Sequence, residues 1–137
     1  MESTIKIKSY KDLLVWQKGI NLVRLTYEMT KEFPADERFG LVSQLRRAAV
    51  SVPSNIAEGQ SRHTTGEFIQ FISHAEGSLA ELETQIIISV DLSLTSSAKA
   101  EPILALIEEL QRMLNSLRQK LATRHSPLAT SHGPSPT

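Results

Sequence analysis

Three arginines have side chains that are suited to binding a ligand. They lie in or just after the segment 44–59, which reads QLRRAAVSVPSNIAEG. At about 100° per residue, Arg47 and Arg62 share a polar helical arc with serine, asparagine and glutamine. Arg46 borders a strip of small residues. A guanidinium group binds phosphate or carboxylate in a planar, bidentate geometry. Arg46, Arg47 and Arg62 are therefore candidate contacts to a nucleic acid or another anion.

The same arginines also have a structural interpretation. In this alternative they form ion pairs with acidic side chains such as Glu58 or Glu76 across helices or subunits, which would occupy the guanidinium groups. The overall charge does not decide between the two, because 15 basic and 15 acidic residues give a net charge of zero. The region between Arg62 and Lys99 has no Lys or Arg, so the third helix is acidic. Its negative charge either complements the positive charge of neighbouring helices or subunits, or leaves a basic surface elsewhere on the protein.

Motifs for catalysis or metal binding are missing from the sequence. The absence of cysteine excludes disulfides, thiolate nucleophiles and Cys-ligated metals. A di-iron bundle needs Glu-x-x-His pairs, but His63 and Glu67 are four residues apart and His74 and Glu76 are two apart. No phosphate-binding glycine loop or nucleophile elbow is present. We therefore expect no catalytic residues, no metal, no cofactor, no small-molecule substrate and no enzymatic activity.

Four stretches with helical periodicity must position the arginines. They run over about 10–33, 36–59, 64–90 and 98–122, with capping boxes at Ser9–Asp12 and Thr64–Glu67 and an N-cap at Asp36. The loops between them are short, which favours antiparallel neighbours. The sequence predicts an all-α, antiparallel, up-and-down four-helix bundle.

Pro53 lies inside the second helix, where proline removes a backbone hydrogen bond and bends the helix. Two shorter helices meeting at Ser51–Pro53 are the alternative. The apolar spacing keeps its phase across the proline, so we expect a single helix kinked at Pro53.

The chain divides into an N-terminal arm (1–9), the bundle (10–123) and a C-terminal tail (124–137) rich in Ser, Thr and Pro. Such a tail buries too little apolar surface to order itself, so we expect disorder. No segment has the length of a membrane span or the pattern of a signal peptide, so we expect a cytoplasmic protein with no membrane partner.

The first helix carries two apolar stripes, where a helix at the edge of a small bundle usually has one. We predict that the first stripe faces the core and that the second is a subunit interface. The alternative is an outer face covered by the N-terminal arm. The predicted core stripe is Leu13, Trp16, Ile20, Val23 and Tyr27, and the predicted interface is Leu14, Val15, Leu22, Leu25 and Met29.

Three blocks resemble the four-helix-bundle family of 23S ribosomal RNA intervening-sequence proteins. They are YKDLLVWQKGINL at Tyr10–Leu22, FGLVSQLRRAAVSVPSNIAEG at Phe39–Gly59 and EFIQFISHAEGSLAELETQ at Glu67–Gln85. The resemblance implies a bacterial protein that assembles as a ring-like homopentamer. The bundle is also similar to the accessory protein of diversity-generating retroelements, a basic pentamer that binds nucleic acid and a reverse transcriptase. This chain departs from that protein in its zero net charge.

Together these observations predict a non-enzymatic homo-oligomer, a pentamer by the resemblance, that associates with ribosomal RNA or another nucleic acid or ribonucleoprotein. The alternative is a scaffold or protein–protein interaction module with no nucleic-acid role. Salt-dependent RNA binding separates the two, because phosphate contacts weaken as salt rises.

Overall fold

The computed structural model describes residues 9–125, with side chains described as far as Thr123. Within that range every regular element is helical, which confirms the predicted all-α four-helix bundle. Two 3₁₀ turns, Tyr10–Asp12 and Ala35–Glu37, precede the first and second α-helices. The α-helices are α1 (Leu14–Thr30), α2 (Leu41–Gln60), α3 (Thr65–Asp91) and α4 (Ser97–His125).

The contacts between neighbouring helices show the direction in which each helix runs. Moving along a pair of helices, the residue numbers of the contacting residues increase in one helix and decrease in the other. The pairs are Gly19–Pro53 and Thr30–Arg46 for α1 with α2, Gln44–Gln85 and Ser51–Ser78 for α2 with α3, Glu76–Arg118 and Glu83–Gln111 for α3 with α4, and Lys18–Glu109 and Glu32–Lys99 for α1 with α4. Each helix therefore runs opposite to the helices on either side of it.

The core of the bundle is formed by the apolar stripes of α2, α3 and α4, as the 3-4 spacing predicts. Burial of these side chains is the main favourable term that holds the four helices together. The fully buried large residues of these three helices include Leu45, Val52, Ile56, Ile72, Leu79, Leu82, Ile86, Ile103, Ile107, Leu110 and Leu114.

The two apolar stripes of α1 have the opposite of their predicted positions, because the predicted interface stripe is largely buried and the predicted core stripe is not. Three residues of the predicted subunit interface, Val15, Leu22 and Met29, are buried in the core of a single chain, so that part of the prediction is wrong. Leu25 is half-buried against the same core. Of the five residues in the predicted interface, only Leu14 is exposed, over 55% of its surface, as a subunit interface would require.

Small residues explain why this face of α1 turns inward. Gly19, Thr26 and Thr30 are buried on it between the large side chains. The Thr26 hydroxyl donates to the Leu22 carbonyl and the Thr30 hydroxyl to the Thr26 carbonyl, both at 2.8 Å, so burial leaves neither hydroxyl unbonded. At Gly19 an added Cβ would lie 3.1 Å from Pro53 Cβ, so glycine permits the close approach of α2.

The predicted core stripe of α1 lies instead at the flanks of the helix. Leu13, Trp16 and Val23 are half-buried and pack against the edge of the core. Ile20 is half-buried as well. Tyr27 is exposed over 39% of its surface, so the expectation that its ring is committed to the core is wrong.

Both predicted N-terminal caps that use a hydroxyl are present. Ser9 and Asp12 form the reciprocal capping box, although around the 3₁₀ turn and not at the start of α1. Thr64 Oγ1 accepts from the Glu67 amide at 3.1 Å at the start of α3.

The predicted start of the second helix at Asp36 is wrong. Asp36 lies in the 3₁₀ turn Ala35–Glu37, and α2 begins only at Leu41. The turn does not continue into α2 because Gly40 has φ −104° and ψ −111°, which is far from helical geometry. Arg38 and Phe39 are therefore presented on a short connection ahead of α2.

Pro53 lies within an uninterrupted α2, so the alternative of two short helices is wrong. The kink at Pro53 stays a prediction. α4 continues through His125, two residues past the predicted boundary of the tail. The rest of the predicted tail and of the N-terminal arm, residues 126–137 and 1–8, lie outside the described residues. No helix in the described part of the chain is both long and apolar enough to span a membrane.

Candidate nucleic-acid interface

Arg46 is held in place where α1 ends and α2 begins. Its Nε donates to Thr30 Oγ1 at 2.9 Å, and its guanidinium carbon lies 4.3 Å from the centroid of the Tyr27 ring. The second distance is well within the range of a cation–π interaction. Because both partners belong to α1, Arg46 fastens the start of α2 to the end of α1 and keeps a fixed position.

Phe39 is the most exposed large apolar side chain in the described part of the chain, at 90% of its surface. The guanidinium carbon of Arg38 lies 5.8 Å from its ring centroid. The non-helical backbone at Gly40 leaves Phe39 on a short connection ahead of α2. Covering such a ring with a binding partner removes apolar surface from water, which favours association.

These two arginine–aromatic pairs line one open cleft of about 580 Å³, which we call the arginine–aromatic cleft. Its size lies within the range of small-molecule and nucleotide sites, about 300–1,000 Å³. The lining contains three arginines, two aromatic rings, two serines and no acidic residue. Its residues are Tyr27, Arg38, Phe39, Val42, Ser43, Arg46, Arg47, Val50 and Ser51.

The arginines of the cleft keep their charge available for a ligand. The ion pairs found among the described residues use Lys18, Lys31, Arg62, Lys99, Arg112 and Arg118, and none involves Arg38, Arg46 or Arg47. Arg47 is exposed and lies on the cleft wall one residue from the anchored Arg46. A neighbouring cleft shares Arg38 and Arg46 and adds Lys31, which is ion-paired with Glu28 at 3.6 Å.

The three arginines singled out from the sequence separate into two groups. Arg46 and Arg47 lie together in the cleft. Arg62 lies sixteen residues further on, roughly 24 Å along a helical path from Arg46. Arg62 Nη2 is 2.7 Å from Glu58 Oε2, and its guanidinium lies 4.8 Å from the Phe71 ring centroid, which is the structural interpretation.

Sequence reasoning missed three residues of the cleft, namely Tyr27, Arg38 and Phe39. Tyr27 had been assigned to the core, and residues 38 and 39 had been placed inside a helix starting at Asp36. The signal that would have found them is Phe39–Gly40 directly before an apolar helix, since glycine marks an interruption that leaves the residue ahead of it on a connection.

The acidic residues Glu58 and Glu76 are each paired with an arginine outside the cleft. Glu58 pairs with Arg62, and Glu76 Oε1 accepts from Arg118 Nε at 2.9 Å. Within the described residues no group of three or more His, Asp or Glu side chains is arranged to hold a metal ion. In the arginine–aromatic cleft, by contrast, arginines and aromatic rings lie together with no acidic residue in the lining.

Comparison with known proteins relates the chain to one family. Residues 11–116 match the sequence model of a family described as 23S rRNA-intervening sequence protein. A search of curated proteins gave no significant match.

Proposed function

Since the chain belongs to the 23S rRNA-intervening sequence protein family, we propose that it is a non-enzymatic, homo-oligomeric bundle that binds RNA through the arginine–aromatic cleft. The observation that carries this proposal is the group Arg38, Arg46 and Arg47, which lines one cleft without an acidic residue in its lining. Arginine recognises phosphate oxygens through its planar fork of donors. Ribosomal RNA is the partner that the family's description suggests, and with that partner we propose that the protein acts in a bacterial cytoplasm.

The zero net charge of the chain does not oppose this proposal. Affinity for a nucleic acid depends on the phosphates that Lys and Arg neutralise locally, and not on the total charge. At about 0.1 M ionic strength, exposed charges further apart than about 10 Å are largely screened. The acidic residue Glu76, for example, is ion-paired with Arg118 on α4 and does not line the cleft.

Binding of a ribosomal RNA fragment is expected to weaken steeply as salt rises. Three arginine–phosphate contacts per chain with single-stranded RNA give a slope of log K against log salt of about −2, and several chains acting together give a steeper one. Filter binding between about 50 and 200 mM salt measures this slope. Absence of binding at the lowest salt would contradict the proposal.

That negative result would favour the scaffold alternative, which also has an observation in its favour. Phe39 and Val50 are exposed apolar side chains in the same cleft, and exposed apolar surface is also typical of protein–protein contacts. A protein partner would depend less on salt than a phosphate backbone does.

We also propose that the chain assembles as a homopentamer, as its family resemblance implies. Exposed Leu14 on α1 and exposed Leu92 next to the end of α3 are apolar surface that a neighbouring subunit would cover. Light scattering after size-exclusion chromatography is expected to give five times the chain mass of 15.2 kDa. A stable monomer at micromolar concentration would contradict the assembly.

A further inference from the structure

We propose that the arginine–aromatic cleft selects single-stranded RNA, with an unpaired base stacking on Phe39 while the arginines hold the adjoining phosphates. This inference rests on the proposed function and adds the class of RNA that the site takes. The geometry that points to it is the placement of two aromatic rings and three arginines in one open cleft.

Phe39 is available as a stacking platform because it has almost no role in the packing of the bundle. It is 90% exposed and is not among the apolar side chains that pack against the core. The guanidinium carbon of Arg38 lies 5.8 Å from the ring centroid, near the outer limit of about 6 Å for a cation–π contact, so the ring stays open to a base. Every base has a π-face, and stacking on an exposed aromatic ring removes apolar surface of both partners from water.

Tyr27 and Arg46 supply a second platform in the same cleft. Arg46 lies 4.3 Å from the Tyr27 ring centroid and is fixed by its hydrogen bond to Thr30. A guanidinium held in this way is already ordered before a ligand arrives, so less side-chain entropy is lost on binding. The adjacent Arg47 is exposed and free of ion pairs with the described residues, which suits a phosphate contact beside the stacked base.

The aromatic rings are what distinguish single strands from duplexes at this site. Arginine–phosphate contacts form with any nucleic acid, because both kinds of strand carry the same phosphates. A paired base is already stacked within its helix and hydrogen-bonded to its partner, so its face is closed to a protein side chain. Unpaired bases in loops, bulges and ends can turn outward and stack on aromatic residues.

Three probes of equal length test the inference with the full-length protein. They are single-stranded oligouridine, an abasic strand with the same phosphates, and an RNA duplex. Binding is measured at low salt for the unaltered protein and for Phe39→Ala, Phe39→Trp and Ile87→Ala. Ile87 is the matched control, because it is an exposed apolar residue that lies outside the cleft. Thermal melting checks that each variant is folded.

We expect Phe39→Ala to weaken oligouridine binding by about 5- to 150-fold, which is the range for loss of one base–aromatic stack. Binding of the abasic strand and of the duplex should change less than about twofold, because those probes offer no free base to Phe39. Phe39→Trp should retain oligouridine binding, and Ile87→Ala should match the unaltered protein.

The outcomes separate failure of this inference from failure of the proposed function. If the abasic strand binds as tightly as oligouridine, or Phe39→Ala leaves oligouridine binding unchanged, stacking is refuted while RNA binding by the arginines stands. If the unaltered protein binds none of the three probes at low salt, both proposals are refuted.

Discussion

Replacing Arg38 and Arg47 together by glutamate is expected to weaken RNA binding on the order of 100-fold near 0.1 M salt. Each substitution removes a phosphate contact and adds a charge that repels the phosphates. The slope of log K against log salt should also fall by about 1.4, because two contacts with a single strand are lost. Filter binding across a salt series measures both quantities.

The choice of Arg38 and Arg47 keeps the bundle intact. Neither forms an ion pair with another described residue. Arg46 is left in place because its guanidinium joins α2 to Thr30 and Tyr27, so its reversal would also disturb the fold. Unchanged helicity and melting temperature in the double variant would exclude unfolding as the cause of weaker binding.

A matched control carries the same change of charge at a different place. Arg24 and Arg112 are exposed and do not line the cleft, and their replacement by glutamate lowers the charge of the chain equally. We expect this control to bind RNA within about threefold of the unaltered protein at 0.1 M salt, where distant charges are screened. Equal losses in the two double variants would show that RNA responds to total charge and not to the cleft.

Substituting Leu22 by alanine should lower the free energy of unfolding by about 2–5 kcal/mol, whereas Leu14→Ala should lower it by less than about 1 kcal/mol. Leu22 is 0% exposed and lies in the core, so truncation removes buried contacts and leaves a cavity. Leu14 is 55% exposed in the single chain. Urea denaturation of both variants gives the two values.

The same measurement distinguishes a core position from a subunit interface. A core substitution lowers the stability of every chain by the same amount at any protein concentration. A substitution at an interface instead makes the loss depend on concentration, because assembly and folding are then linked. A small or concentration-dependent effect for Leu22→Ala would contradict the assignment of Leu22 to the core.

The buried face of a helix could be predicted from the sequence only where the helix has a single apolar stripe. α3 and α4 have one continuous stripe, so residues such as Leu79 and Ile107 were assigned to the core correctly. The first helix has two stripes, and the spacing of the apolar residues assigns the wrong one to the core. The deciding residues were Gly19 and Thr26, whose small side chains permit close approach. Their contribution depends on the shape of the facing helix, which a single helix does not reveal.

In the candidate site, too, the residues that depend on local spacing could be predicted, and those that depend on contacts between distant parts of the chain could not. Arg46 and Arg47 were found from their spacing within a helix, which is a local property. Arg38 and Phe39 were not, because their exposure depends on where α2 starts. The Glu37 carboxylate oxygen Oε1 accepts from the Leu41 amide at 3.4 Å, so the start of α2 is stabilised by the turn before it.

The amino-acid sequence by itself determined that this chain forms four amphipathic helices, that caps begin two of its helical segments, and that Arg46 and Arg47 are candidates for an anion. These follow from backbone periodicity and side-chain hydrogen bonds over three or four residues. Only the tertiary structure decided which face of α1 is buried and which rings join the arginines in the cleft. The physical reason is that the burial of a side chain and its electrostatic interactions depend on groups from other helices. Those groups come together only when the helices pack.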